Sequence, residues 1–267
     1  MRPKQERRFL YHAEAVGVAG TVTFPQQQTI EAQAVAGLPV TGGVSHSNIS
    51  KFRHDELVSF DEARSETHGF YHPESDSYTT LVISTLEKLN IFNILTADRV
   101  VARITSTHPK DGGQPKISLV GSHFENLKIA GCRVEPDLAV DWFDDANTYS
   151  KVQEAYRTDG QIKWILDNDH PKHLLAENAD KSPVGAQGTT SKTIGCTLVR
   201  NREHLSSEIP FENGGFYVPE VGTFHLGELF VNENERQLTM VRAELGCPTK
   251  STIASCSVRG NGTTWPR

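Results

Sequence analysis

Three features of the sequence predict a mainly β fold, an antiparallel β-sandwich or flattened barrel with a small helical insertion. Apolar residues recur at every second position in segments spread along the chain, the spacing that puts them on one face of a strand. Turn-forming clusters of Gly, Pro, Asn and Asp separate these segments. Only between Asp141 and His173 does the period lengthen to three and four residues. Strands, one helical stretch and strands again is the order expected of a sandwich or barrel. Residues 1–267 therefore read as a single β-rich domain, with 141–191 as a helical insertion and polar loop within it.

The alternation begins at Phe9–Phe24. Leu10, Val16, Val18, Val22 and Phe24 share one face, and Ala13, Ala15, Gly17 and Ala19 share the other. A face so poor in bulk lets another layer come close, so this strand is expected to be covered on both sides. Thr29–Val40 continues the pattern until Pro39 and Gly42-Gly43 stop it. Tyr78–Leu86, Ile91–Thr105 and Ile117–Ile129 form a central block, broken at Lys88-Leu89-Asn90 and at the turn His108–Gly113.

Trp142, Tyr149, Val152, Tyr156, Ile162, Ile165 and Leu166 carry the helical period. Thr158-Asp159-Gly160 breaks it, and Asn147 or Thr148 is placed to cap. Glu177–Ser191 is polar and reads as an exposed loop. Strands resume at Thr193–Arg200, and Phe224–Val231 and Leu238–Leu245 flank the polar turn Asn232–Glu235 as a hairpin. No fixed repeat is visible, which counts against propellers and most solenoids.

With 33 acidic and 27 basic residues and no long run of either sign, the net charge of −6 argues against a nucleic-acid partner. Arg2, Lys4, Arg7 and Arg8 read as a solvated start to the first strand. Phe9–Gly20 contains His12 and Glu14 and lacks the apolar run of a secretory signal, and no stretch approaches a membrane span. A soluble, cytoplasmic protein is the expectation. Cys132, Cys196, Cys247 and Cys256 form no Cys-x-x-Cys pair, and Cys247 and Cys256, nine apart on neighbouring strands, read as small core residues.

The most suggestive chemistry lies in His68-Gly69-Phe70-Tyr71-His72-Pro73-Glu74. In an extended segment His68, His72 and Glu74 share a face, and two imidazoles with a carboxylate are a ligand set for a divalent metal. Gly69 and Pro73 disfavour a regular strand, so a surface loop is the competing reading. His170 and His173 read as cations at a helix end. His225 and Glu228 lack the second histidine of the cupin metal motif, and strict alternation puts them on opposite faces. Asp137, Asp141, Asp144 and Asp145 read as helix-start aspartates. Gly121-Ser122-His123 is no nucleophile elbow, and the paired glycines lack a phosphate loop's Lys-Ser/Thr. Asp98 and Arg99, within an apolar strand, read as a solvent-facing pair or an edge guard.

Leu81–Thr85, Leu89-Asn90-Ile91, Thr96-Ala97-Asp98 and Phe124–Gly131 together resemble, in rhythm, bacterial β-rich proteins labelled choice-of-anchor P. The resemblance covers a minor part of the chain and implies strands and no assigned activity. Those proteins look like exported surface proteins.

The leading expectation is a non-catalytic β scaffold that binds a ligand or partner or assembles with itself. A protein partner or a second copy is expected, and a small-molecule ligand is allowed. The alternative is a metal-dependent enzyme on a β-sandwich, using His68, His72 and Glu74 with His123 or His225. A barrel inserting into a membrane ranks third.

Overall fold

The computed structural model describes residues 8–158, 193–200, 209–212, 214–246 and 250–265. The chain opens with β1 (Arg8–Phe24), β2 (Gln28–Gln33) and β3 (Ala36–Gly37). A meander of long strands follows: β4 (Gly43–His54), β5 (Val58–His72), β6 (Ser77–Ile91) and β7 (Leu95–Pro109). Then come the short β8 (Lys116–Ser118), β9 (His123–Glu125), β10 (Lys128–Ile129) and β11 (Cys132–Arg133), and two helices, α1 (Trp142–Asp145) and α2 (Tyr149–Thr158). The remaining strands are β12 (Ile194–Thr197), β13 (Phe211–Glu212), β14 (Gly215–Val218), β15 (Gly222–Val231), β16 (Arg236–Leu245) and β17 (Lys250–Trp265).

These strands make two antiparallel sheets that pack face to face, as an all-β sandwich with a small helical insertion. The nine-stranded sheet runs β13-β14-β15-β16-β17-β1-β2, with β12 beside β15 and β3 beside β1. The eight-stranded sheet runs β11-β10-β7-β6-β5-β4, with β8 and β9 on β7. The first and last long strands pair along most of their length, from Arg8 opposite Trp265 to Phe24 opposite Lys250.

Small residues set how closely the sheets approach. A Cβ placed on Gly17 of β1 would lie 3.1 Å from the Ala63 Cβ of β5, and one on Gly260 of β17 would lie 3.0 Å from Val82 of β6. At this separation side chains of one sheet reach the backbone of the other. Ser84 Oγ donates to the Val16 carbonyl at 3.1 Å, Thr80 Oγ1 to the Asn261 carbonyl at 3.2 Å, and Cys256 Sγ to the Val100 carbonyl at 3.3 Å. Burial raises both the Cys196 and the Cys256 thiols to about 12, which keeps them protonated.

Each sheet also carries a seam, one or two residues wide, where the ladder of pairs is interrupted. In the eight-stranded sheet Lys51 and Asp61 drop out between β4 and β5, and Lys88 and Asp98 drop out between β6 and β7. In the nine-stranded sheet the row is Gly17, Cys256, Met240 and Gly227, across β1, β17, β16 and β15. Every second strand crosses the seam with a left-handed residue: Lys51 (φ 56°), Lys88 (φ 55°), Cys256 (φ 50°) and Gly227 (φ 59°). The inward phase flips there. In β1 the buried residues are Phe9, Tyr11, Ala13 and Ala15 before the seam and Val18 and Val22 after it.

This flip changes the expected faces of β1. Its small face, Ala13, Ala15 and Gly17, is the one that meets the opposite sheet, whereas Leu10 and Val16 are only half-buried. Strands buried on both faces include β12, β15 from Phe224 to Leu229, and β16 from Leu238 to Ala243. Lys88-Leu89-Asn90 does not separate two strands, because β6 continues through the seam to Ile91. The long strands β4 and β5 occupy a region where no strands were expected.

The helices begin where the period changes, and Thr148 Oγ1 accepts a 3.4 Å bond from the Lys151 N–H as an N-cap. The expected continuation through Ile162, Ile165 and Leu166, the loop Glu177–Ser191, the histidines His170 and His173, and Cys247 lie outside the described residues. The hairpin of β15 and β16 forms as expected, its turn closed by Asn232 N–H to the Glu235 carbonyl at 2.9 Å. No helix among the described residues is long and apolar enough to cross a membrane.

Ala63 is fully buried at the point of closest approach. Ala63→Leu is expected to destabilise the chain by about 1–3 kcal/mol through overpacking, read as a lower urea midpoint with unchanged slope.

Candidate functional site

A seam forces two neighbouring residues of one strand outward. On β6 these are Glu87 and Lys88, and on β7 they are Asp98 and Arg99. The outer face of the eight-stranded sheet therefore gains charge where the phase flips. A concave pocket of about 570 Å³ opens there, lined by Lys88, Asn90, Thr96, Asp98, Asn126 and Lys128, with Arg133 at its rim.

The Asp98 carboxylate sits in the pocket with both oxygens engaged. Lys88 Nζ donates to Oδ1 at 2.7 Å, and Asn126 Nδ2 donates to Oδ2 at 2.7 Å. These hydrogen bonds, with the Lys88 charge, hold the Asp98 carboxyl below the usual carboxylate range, and Asp98 in turn raises Lys88. Lys128 makes no ion pair within 4.0 Å among the described residues, and Arg133 pairs with Glu135 at 2.7 Å on the surface. Lys88 balances Asp98 and Arg133 balances Glu135, so Lys128 leaves this group of charges net positive by one. Asp98 and Arg99 face solvent as expected, but they guard no edge, because β7 is an inner strand. Arg99 bonds Glu87 at 2.7 Å and reaches Glu125 at 3.5 Å.

The residues expected to bind metal are not brought together. His68 and His72 lie on one face of β5, which runs straight through Gly69. Four residues of extended strand separate them by about 13 Å, too far to share one ion. Glu74 lies in the turn between β5 and β6, and His68 Nε2 stands 3.4 Å from Glu66 instead. Gly69 is tolerated in the strand because the Tyr11 ring packs over it, 2.7 Å from where a Cβ would be. His123 bonds the Gly121 carbonyl and pairs with Glu125. Among the described residues no three His, Cys, Asp or Glu side chains gather to hold a metal ion.

Strict alternation separates His225 from Glu228, and the fold reunites them. Left-handed Gly227 turns the phase, so His225 Nδ1 comes within 3.7 Å of Glu228 Oε1. Arg242, opposite His225 on β16, closes the group with a two-pronged bond to Glu228, Nε to Oε2 at 2.6 Å and Nη2 to Oε1 at 2.7 Å. Glu244 accepts from Arg242 Nη1 and lies 3.8 Å from His225 Nε2. The His225 imidazole, then the Arg242 charge, lowers the Glu244 carboxyl to about 2 against the opposing effect of burial. Burial works against the charge on Arg242, but Glu228 and Glu244 outweigh it and hold its pKa above the ordinary value. The signal that this seam offered in the sequence was one glycine inside an apolar run.

A second charge lies inside the sandwich. Arg236 is fully buried, and its Nη1 donates to Asn261 Oδ1 at 3.0 Å and to the Glu233 carbonyl at 3.3 Å. Its Nε and Nη2 have no hydrogen-bond partner among the described residues. Burial lowers its pKa to about 10. His108 is buried nearby with Nε2 3.1 Å from Ser106 Oγ, and burial followed by the Arg236 charge lowers it to about 4.

Glu228→Ala removes the two-pronged partner and leaves buried Arg242 with Glu244 alone, so it is expected to cost about 3 kcal/mol in chemical denaturation, the low end for breaking a buried pair. His108 produces a pH dependence of definite sign. Its folded pKa lies below its ordinary 6.5, so the unfolded chain binds the extra proton and stability falls as the pH drops from about 6.5 to about 4. The shift amounts to on the order of 3 kcal/mol. His108→Gln is expected to flatten that part of the stability profile measured by urea unfolding.

No curated protein and no solved structure matches the chain significantly. The family model described as Domain of unknown function (DUF8256) matches residues 9–232, from β1 through β15. The match ends before β16 and β17, which lie in the interior of the nine-stranded sheet. With most of its length covered by that model, the chain belongs to the DUF8256 family.

Proposed function

We propose that this chain is a non-catalytic binding module, and that the pocket over the seam of the eight-stranded sheet takes a small acidic molecule bearing carboxylate or phosphate groups. One observation carries the reading. Among the described residues Lys128 stands without an ion-pair partner, beside a carboxylate, Asp98, that Lys88 neutralises and Asn126 hydrogen-bonds. An anion entering the pocket meets Lys128 directly and shares Arg133 with Glu135, and it leaves the Lys88–Asp98 pair in place. Asn90 and Thr96 add polar groups for orientation, and the volume lies within the usual range for small-molecule sites.

The protonation states favour binding over turnover. Lys88 is shifted up and Asp98 down, away from neutrality, whereas general acid–base chemistry needs groups poised near the working pH. Both groups keep their charge across the physiological range.

Titration with citrate and with inorganic phosphate, followed by amide chemical shifts, tests the reading. The expected result is saturable movement of resonances around Lys88, Asp98, Asn126 and Lys128 that weakens as salt is added. A Lys128→Glu, Arg133→Glu double variant is expected to bind at least roughly tenfold more weakly, since each contact is worth about 1 kcal/mol even at the dielectric of water. No shifts in the pocket with either probe, or equal affinity in the variant, overturns the proposal.

A further inference from the structure

The outermost strand of the eight-stranded sheet, β4, pairs with β5 along one side, from Gly43 opposite Gly69 to His54 opposite Val58. Its other side pairs with nothing among the described residues. The other outermost strands of the two sheets are short: β11 and β13 have two residues each, and β2 has six. At twelve residues, β4 is the long edge.

Exposed edges are normally blunted by charge, proline, a bulge or shortness. None of these devices interrupts Val44-Ser45-His46-Ser47-Asn48-Ile49-Ser50, which contains no Asp, Glu, Lys, Arg, Pro or Gly. Its register with β5 is unbroken. The interruption comes immediately afterwards, where left-handed Lys51 leaves the ladder and Arg53 follows. The seam thus confines the open edge to seven uncharged residues, about 24 Å of strand.

We infer that this edge is an interface between two copies of the chain, paired antiparallel about a two-fold axis through Ser47. An antiparallel strand pair is self-complementary, so one segment supplies both sides of an isologous contact. Residues directly opposite must share a face if both sandwiches are to continue through the joint. Centring on Ser47 meets this condition: Val44 opposes Ser50, Ser45 opposes Ile49 and His46 opposes Asn48. The half-buried face of Ser45, Ser47 and Ile49 then meets its own counterpart, and Val44, 62% exposed in the single chain, is partly covered.

Charge favours a second copy in this register. Lys51 of each chain falls opposite Gly43 of the other, and Arg53 opposite Thr41, so the cations flank the joint without meeting. The open segment itself carries no carboxylate, although the whole chain is acidic. Pairing joins two eight-stranded sheets into one of sixteen and leaves the pocket over Lys88 and Asp98, two strands inward, uncovered. The inference is therefore independent of what the pocket binds.

Sedimentation of the full chain over a wide concentration range tests this, with two charge variants. Val44 and Ser50 are both exposed, so Val44→Lys with Ser50→Lys, and Val44→Glu with Ser50→Glu, are expected to melt at the wild-type temperature. The wild type is expected to reach twice the monomer mass. Each variant alone places like charges opposite each other twice and is expected to dimerise roughly tenfold more weakly. Mixing the two variants is expected to restore the dimer, which general unfolding would not do. A wild type that stays monomeric at every concentration, including one that instead captures a foreign extended peptide on β4, overturns the inference. So does a dimer indifferent to both variants, or a mixture that stays monomeric.

Discussion

Two β-sheets approach closely only where the side chains between them are small, and in this chain the approach is set by Gly17 against Ala63 and by Gly260 against Val82. Other features follow from that distance. Hydroxyl and thiol groups from one sheet reach carbonyls of the other, so Ser84, Thr80 and Cys256 tie strands together across the core as well as within their own sheets. The two seams lie near each other across this gap. Gly17 meets Ala63, two residues beyond Asp61, and Cys256 meets the carbonyl of Val100, two residues beyond Asp98. Left-handed backbone at Lys51, Lys88 and Cys256 costs roughly 1–2 kcal/mol per residue, and the packing of whole strands on either side holds it in place.

The seams also decide where charge goes. On the outer face of the eight-stranded sheet they bring Lys88 and Asp98 together under solvent, at a position where ion pairing contributes little to stability. In the nine-stranded sheet the same device turns Glu228 toward His225 and Arg242, in strands covered on both faces. There the pairing is a structural necessity, since an isolated buried charge is far more costly than a matched pair. One irregularity of the backbone thus has opposite chemical results in the two sheets, and the difference is that the strands of the second are buried on both faces.

Much of the architecture was legible because alternation survives between seams. The long runs of β1, β7, β15 and β16, the hairpin turn at Asn232–Glu235 and the onset of the helices all carry it. A phase carried straight through Gly17 groups Val18 and Val22 with Leu10 and Val16, whereas they share the buried side with Ala13 and Ala15, and carried straight through Gly227 it puts His225 and Glu228 on opposite faces. Lys51, Lys88 and Cys256 are not residues that announce a left-handed backbone, so nothing local marks those crossings. β4 and β5 escaped notice because their inward positions include Ser45, Ser47, Ser65 and Thr67, and a strand that buries hydroxyls lacks the apolar rhythm. Of the pocket, Asp98 stood out as a charge in an apolar strand. Lys88 joins it across the β6–β7 hairpin, and Asn126 and Lys128 join it only through the short strands that fold back onto β7.

The pairing of β1 with β17 orders events during synthesis. The meander from β4 to β7 is built of neighbouring hairpins and needs only what has already been made. The nine-stranded sheet does not close until its last strand emerges, because β17 fills the place between β16 and β1. Contacts of such long sequence separation slow folding. Throughout translation of the intervening chain, β1 waits with one edge bare and with its alanine-rich face in reach of the half-built sandwich. The nascent polypeptide is most vulnerable to mispairing in that interval, and a ribosome stall upstream of Lys250 would leave behind a sheet with a gap in its middle.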